Sequence, residues 1–180
     1  MEARARLREA ALELYLDHGY DATTTAQIAQ RAGVTERTYF RHFADKREVL
    51  FNGESELRDV MVAAIADAQE GTPPLALVVS AYTAAVPLFV AGRPIAVRRA
   101  EVIAATPALK ERAQAKTAAL ADAIIAALAA RGVPESTARL AAQLGSATFE
   151  RASREWYRQP RLDLVALIRN AADEVRALAG

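Results

Sequence analysis

No cysteine occurs in the 180 residues, which excludes a disulfide scaffold, a Cys-ligated metal or iron–sulfur site and a thiol nucleophile. The only histidines, His18 and His42, lie far apart in sequence, so no metal site and no cofactor is expected. Neither sign of charge dominates, the formal net charge being +1. Long hydrophobic runs are also missing. The most apolar stretch, Leu75 to Val90, carries Ser80, Tyr82, Thr83 and Pro87, and is too short and polar to span a bilayer comfortably. Met1-Glu-Ala-Arg-Ala-Arg runs straight into an amphipathic pattern without the apolar region of a signal peptide. A cytoplasmic protein with no membrane partner is expected. What is plentiful is alanine, at 43 positions, within a chain that is 52% apolar and 6% aromatic. Alanine is the strongest helix former, so an all-α chain of one domain or two small ones is expected.

All seven prolines fall at or after position 73. Glu70-Gly-Thr-Pro-Pro74, Ala91-Gly-Arg-Pro94, Thr106-Pro107, Arg131-Gly-Val-Pro134 and Gln159-Pro160 each combine a helix stop with a first-turn proline. They predict helices over 74–91, 94–105, 107–131, 134–158 and 161–179. The first 70 residues are punctuated differently. A helix over Ala3 to His18 sets Leu7, Ala10, Ala11, Leu14 and Tyr15 on one face, and Gly19 stops it. His18, at that helix's C-terminus, reads as a dipole-compatible surface residue.

Three shorter segments follow. Thr24-x-x-Gln27 is a capping box for a short helix with Ile28, Ala29 and Ala32 facing inward. Gly33 supplies the positive φ of a tight turn, Val34 plugs inward, and Thr35 caps a second short helix running to about Phe43. Asp45-x-x-Glu48 resembles another capping box, opening one long helix to about Gln69. Two short helices joined by a glycine turn make a helix-turn-helix. Tyr39 and Phe43, four apart, belong to its core.

A helix-turn-helix places the N-terminal half of its second helix in the DNA major groove while the first crosses the backbone. Glu36, Arg37, Thr38 and Arg41 face away from the apolar side, and these residue types read base edges. Thr24, Thr25, His42 and Lys46 ring that surface as candidate phosphate ligands. Between Thr24 and Glu48 five Lys or Arg stand against three Asp or Glu, a small excess that charge alone would not single out. Those features also fit a corner between two helices of an ordinary helical protein, with Arg37 and Arg41 simply solvated.

The stretch from Gly19 to Leu50 resembles the DNA-binding domain of the tetracycline-repressor (TetR) family. The likeness extends over roughly residues 5–51, through Ala10-Ala11, Leu14-Tyr15, Ile28-Ala29, Ala32-Gly33-Val34 and Arg41-His42-Phe43 with Lys46. It implies a helix-turn-helix DNA-binding domain at 1–52 and a helical ligand-binding and dimerisation domain at 53–180. It further implies that Thr24 and Thr25 touch phosphates, that Glu36, Arg37 and Thr38 reach bases, and that His42 and Lys46 clamp the backbone, with Thr35 and Arg41 as further DNA-binding candidates. Two positions depart from many relatives. Ala26 stands where they carry Arg, removing a base contact, and Phe40 stands where they carry Tyr, leaving a ring for sugar or a thymine methyl but no phosphate donor.

In the remaining two-thirds, the stripe Leu140, Leu144, Thr148, Ala152 and Trp156, with Gly145 beside it, and the stripe Leu164, Ile168, Ala171 and Val175 are candidates for a homodimer interface. Pairing two such hairpins would give a four-helix bundle; the alternative is packing within one chain. Polar groups on apolar helices, Tyr82, Arg98 and Glu101, with Phe89 and Phe149, are candidates for a ligand pocket. Arg98 and Glu101 can equally satisfy each other at i,i+3. The expected function is a homodimeric regulator, a repressor, binding a palindromic double-stranded operator and released by a small hydrophobic or aromatic effector. Alternatives are a DNA-binding regulator without a small ligand, or a small helical enzyme. The enzyme reading lacks a Gly-flanked nucleophile, a phosphate loop, a metal spacing and a nucleotide fingerprint, so no catalytic residue is expected.

Overall fold

The computed structural model describes residues 2–51 and 53–178. It is all helical, with no strand among the described residues. The helices are α1 (Ala3–His18), α2 (Thr25–Arg31), α3 (Glu36–His42), α4 (Glu54–Ala66), α5 (Pro74–Ala84), α6 (Val86–Ala105), α7 (Pro107–Ala130), α8 (Glu135–Arg158) and α9 (Leu164–Leu178), with a 3-10 turn at Glu48–Leu50.

The short helices form where the caps demand. Thr24 accepts from the Gln27 amide at 3.2 Å while the Gln27 side chain accepts from the Thr24 amide at 2.8 Å, the reciprocal arrangement of a capping box. Thr35 accepts from the Thr38 amide at 3.2 Å and opens α3. Between them Gly33 sits at φ +66°, a left-handed position that any side chain would strain.

The long helix expected from Asp45 to Gln69 is broken. Asp45 Oδ1 accepts from the amides of Arg47 and Glu48, at 2.7 and 3.1 Å, and caps only the 3-10 turn. Gly53 then adopts φ +90° before α4 begins at Glu54. Helical φ is negative, so the chain cannot continue as one helix through that residue. The break expected at Ala91-Gly-Arg-Pro94 is absent in turn, and α6 runs through Pro94. An interior proline loses one backbone bond and crowds the preceding turn, costing about 3 kcal/mol, and this is offset where Ile95, Val102 and Ile103 of that helix pack into a core beyond it.

The chain forms two compact units, Met1–Glu54 with Arg93–Lys116, and Ser55–Gly92 with Thr117–Gly180. The unit holding the helix-turn-helix is therefore larger than the 1–52 segment. Val102 and Leu109 are buried with Leu7, Leu12, Tyr15, Ile28, Tyr39 and Leu50 in one core. Polar ties reinforce this attachment. Arg98 pairs with Glu9 of α1, Arg99 donates to the Leu50 carbonyl at 3.2 Å, and Arg112 meets Glu48 at 2.6 Å. Lys116 reaches Glu54 at 2.6 Å and Glu48 at 3.6 Å. Arg98 thus pairs with Glu9 in place of Glu101, because tertiary packing brings α1 alongside it.

The second unit is built on α8 and α9 with α5 across them. Met61, Ile65, Leu77, Val78, Tyr82, Ile124, Leu128, Trp156, Leu164 and Ile168 form its core. The two stripes read as a dimer interface are largely consumed here. Gly145, Thr148, Ala152, Trp156, Leu164, Ile168 and Ala171 are buried within the single chain, because α8 and α9 turn their apolar faces toward each other and toward α5. Gly145 permits the closest approach, since a Cβ there would lie 2.3 Å from Val78 Cγ1. Only Leu140, Leu144 and Val175 of the set keep exposure, Leu140 at 56%.

Among the described residues, the single helix that by length and composition could cross a membrane is α7, with an 18-residue window of mean hydropathy 1.3, while α5 and α6, which hold the 75–90 stretch, meet the same criterion only as a pair bent by 56°. The apolarity of α7 is mostly alanine, and its large apolar residues Leu109, Ile124 and Leu128 are buried in the cores of the two units.

Candidate nucleic-acid interface

Three consecutive threonines do three different jobs. Thr23, which sequence reasoning passed over, is buried and donates to the carbonyls of Gly19 at 2.9 Å and Leu14 at 3.3 Å, tying the turn to the end of α1. Thr24 caps α2. Thr25 donates to Glu36 Oε1 at 2.6 Å, joining the first turns of α2 and α3. Glu36 is thereby held as an acceptor at the N-terminus of α3, where a carboxylate also meets the positive end of the helix dipole. A run of hydroxyls alone carries no signal for which of them turns inward. Thr24→Ala is expected to cost about 1 kcal/mol through the lost cap, read as a lower melting temperature of the first unit.

The outer face of α3 presents Arg37, Phe40 and Arg41, all exposed, with Thr38 half-buried beside them. Neither Arg37 nor Arg41 has an acidic partner among the described residues. Phe40 is 52% exposed, its ring set edge-on to Tyr39 at 5.4 Å. On the inner face Tyr39 is fully buried and Phe43 nearly so, their centroids 5.5 Å apart. The helix is therefore anchored by one side and leaves unpaired guanidinium groups and an aromatic ring on the other. Ala26 is exposed on α2 and offers no donor.

Two expected phosphate ligands are placed differently. Lys46 directs its ammonium inward, donating to the carbonyls of Tyr20 at 2.8 Å, Thr23 at 3.0 Å and Asp21 at 3.5 Å, and standing 4.1 Å from the Tyr20 ring centroid. His42 turns its Nε2 away from solvent, without a partner among the described residues. Around Lys46 the backbone is fixed by phenols: Tyr15 donates to the Lys46 carbonyl at 2.7 Å and Tyr39 to that of Asp45 at 3.0 Å. Burial, reinforced by neighbouring tyrosines and Asp45, pushes both phenols well above their ordinary range, so they remain neutral donors. At Asp45 burial opposes ionisation, but the Arg47 guanidinium and the amides of Glu48 and Arg47 outweigh it and lower its pKa.

The expected ligand-pocket residues divide. Tyr82, Phe89 and Phe149 come together in the second unit, Phe149 stacking on Tyr82 at 4.6 Å and lying tilted against Phe89 at 4.5 Å. Burial raises the Tyr82 phenol, a hydrogen bond with Ser146 opposing this in part. Arg98 and Glu101 belong to the first unit and do not join them. A cleft of about 440 Å³ in the second unit is lined instead by Ala76, Val79, Ser80, Thr83, Ala84, Arg169 and Arg176. Local periodicity had grouped residues by helix face, but which unit each half of α6 joins is a tertiary outcome.

The family model for bacterial regulatory proteins of the tetR family matches residues 7–52, so the helix-turn-helix segment is similar to the DNA-binding domain of that family. The transcriptional regulator TcmR of Streptomyces glaucescens is 41% identical over 81 residues, which span 45% of this chain and only 36% of that protein. Among solved structures, SmeT in complex with triclosan is 22% identical with a TM-score of 0.64, covering 98% of this chain and 90% of that one. FadR of Bacillus subtilis in complex with stearoyl-CoA is 16% identical with a TM-score of 0.61, covering 94% and 95%. These two likenesses extend the fold over the second unit.

Proposed function

We propose that this protein is a cytoplasmic transcriptional repressor that binds a pseudo-palindromic operator as a homodimer and is released by a small hydrophobic or aromatic effector. The observation that carries the DNA-binding part is the outer face of α3, where Arg37 and Arg41 lack acidic partners among the described residues and lie beside exposed Phe40. Arg37 is the leading base reader and Thr24, Thr25 and Arg41 are backbone contacts. Glu36, bonded to Thr25, sets the geometry between the two short helices.

The homodimer is supported by what the second unit leaves uncovered. Leu140 and Leu144 lie one turn apart on α8, Val175 and Leu178 one turn apart on α9, and Leu178 is 88% exposed. A twofold pair would set two recognition helices about one DNA turn apart, or a multiple of it. The effector reading is supported by the uncharged Tyr82–Phe149–Phe89 cluster, and by neighbours of the same fold that were solved with triclosan and with stearoyl-CoA.

The test is selection of a duplex from a random library followed by titration. Arg37→Ala is expected to weaken the selected site by about 1–3 kcal/mol and to relax base preference at one position of each half-site. Unchanged affinity and unchanged preference would exclude α3 as the reading helix.

A further inference from the structure

We propose that Lys46 is a positioning residue for DNA recognition, a post that holds the α1–α2 turn in register with α3, and that it takes no phosphate itself. The inference rests on the DNA-binding reading above. An ammonium has three N–H donors and no acceptor. Lys46 directs them at three carbonyls of one turn, those of Tyr20, Asp21 and Thr23, and the Tyr20 ring covers it at 4.1 Å. Turning outward to a phosphate would forfeit the bonds at 2.8 and 3.0 Å together with the ring contact, and would strip the Tyr20 and Thr23 carbonyls of their cation.

The other end of the post is equally fixed. The Lys46 carbonyl accepts from Tyr15 of α1 and the neighbouring Asp45 carbonyl from Tyr39 of α3, so this backbone corner is tied to both helices. The residues it holds in place are those that matter. Thr23 anchors the turn to α1, Thr24 caps α2, and Thr25 binds Glu36 at the head of α3. Through these, one ammonium sets where the α2 N-terminus stands relative to Arg37 and Arg41. Arginine could not take over, since a planar fork cannot converge on three carbonyls of one turn as an ammonium does. A lysine serving only as a phosphate ligand would be replaced by arginine at little loss.

The experiment compares wild type, Lys46→Met and Lys46→Arg in full-length protein, measuring affinity for the selected duplex and for random DNA over a range of salt. Thermal melting in the same buffers corrects each value for the folded fraction. Both variants are expected to bind the selected duplex about tenfold more weakly, on the scale of lost hydrogen bonds to a charged group. Random-DNA affinity and the slope of log K against log salt should stay at wild-type values. A slope reduced by about one in Lys46→Met, with selected and random DNA weakened alike and Lys46→Arg restoring both, would identify a phosphate ligand and overturn the inference. Lower melting temperatures with unchanged corrected affinities would reduce Lys46 to a stabilising residue and overturn it equally. A wild type that binds no selected duplex would instead overturn the DNA-binding reading itself, a result distinct from the other two.

Discussion

Gly145→Leu is expected to unfold the second unit at temperatures where the wild type is intact. Even the first added carbon meets Val78, at 2.3 Å from Cγ1 and 2.9 Å from Cβ, and Tyr82 Cε2 at 3.9 Å. Val78 is fully buried and β-branched, so it has no alternative rotamer to retreat into. Overpacking of this kind costs about 1–3 kcal/mol, and more as the side chain grows. Gly145→Ala is the milder probe: alanine recovers roughly 1 kcal/mol of helix propensity, but its Cβ meets the same Val78 atoms, so a net loss of up to about 2 kcal/mol remains. Trp156, the single tryptophan, lies buried in the same core and reports the transition by its fluorescence in urea. Truncating the opposing residue in Gly145→Ala/Val78→Ala should show coupling, the pair costing less than the sum of the single changes. Gly145→Leu with a wild-type urea midpoint would mean that α5 and α8 do not approach as described.

The second large effect is expected from Tyr39→Ala, which should abolish operator binding without removing any group that faces DNA. Tyr39 is fully buried, packs on Phe40 and Phe43, and donates its hydroxyl to the Asp45 carbonyl. Removing a buried aromatic ring costs about 3–5 kcal/mol, comparable with the whole stability of a small unit. With α3 no longer seated, Arg37 and Arg41 lose their fixed direction. Tyr39→Phe keeps the ring and forgoes only the hydrogen bond, so it should cost about 1–2 kcal/mol and leave the operator recognised. Trp156 fluorescence in the second unit should be unaltered in both variants. Operator affinity at the wild-type level in Tyr39→Ala would contradict the placement of this residue at the centre of the first core.

The helix-turn-helix was legible because its signals are local. A capping box closes over four residues, Gly33 governs its own φ, and Thr35 bonds an amide three positions on. The breaks before Pro74, at Thr106-Pro107 and at Gly132 through Pro134 were equally plain, since proline and left-handed glycine act on the backbone where they stand. The membership of α8 and α9 in one amphipathic pair could be read from period alone. So could the inward facing of Tyr39 and Phe43.

What each buried face packs against was decided only by the tertiary structure. An apolar stripe states that a face is covered and is silent about its partner. For that reason Gly145, Ala152, Trp156, Ile168 and Ala171 read equally well as an interface between copies and as the core in which they lie. Residues 93–116 joined the first unit because Val102 and Leu109 found Leu7, Tyr15 and Leu50 there, positions far removed along the chain. Arg98 chose Glu9 over Glu101, a spacing of three residues being no advantage once another helix supplies a carboxylate. Lys46 followed the same rule. Its sequence neighbours suggested a surface cation, but three carbonyls from a turn more than twenty residues earlier converge on it, and a side chain's donors go to the acceptors that folding brings within reach.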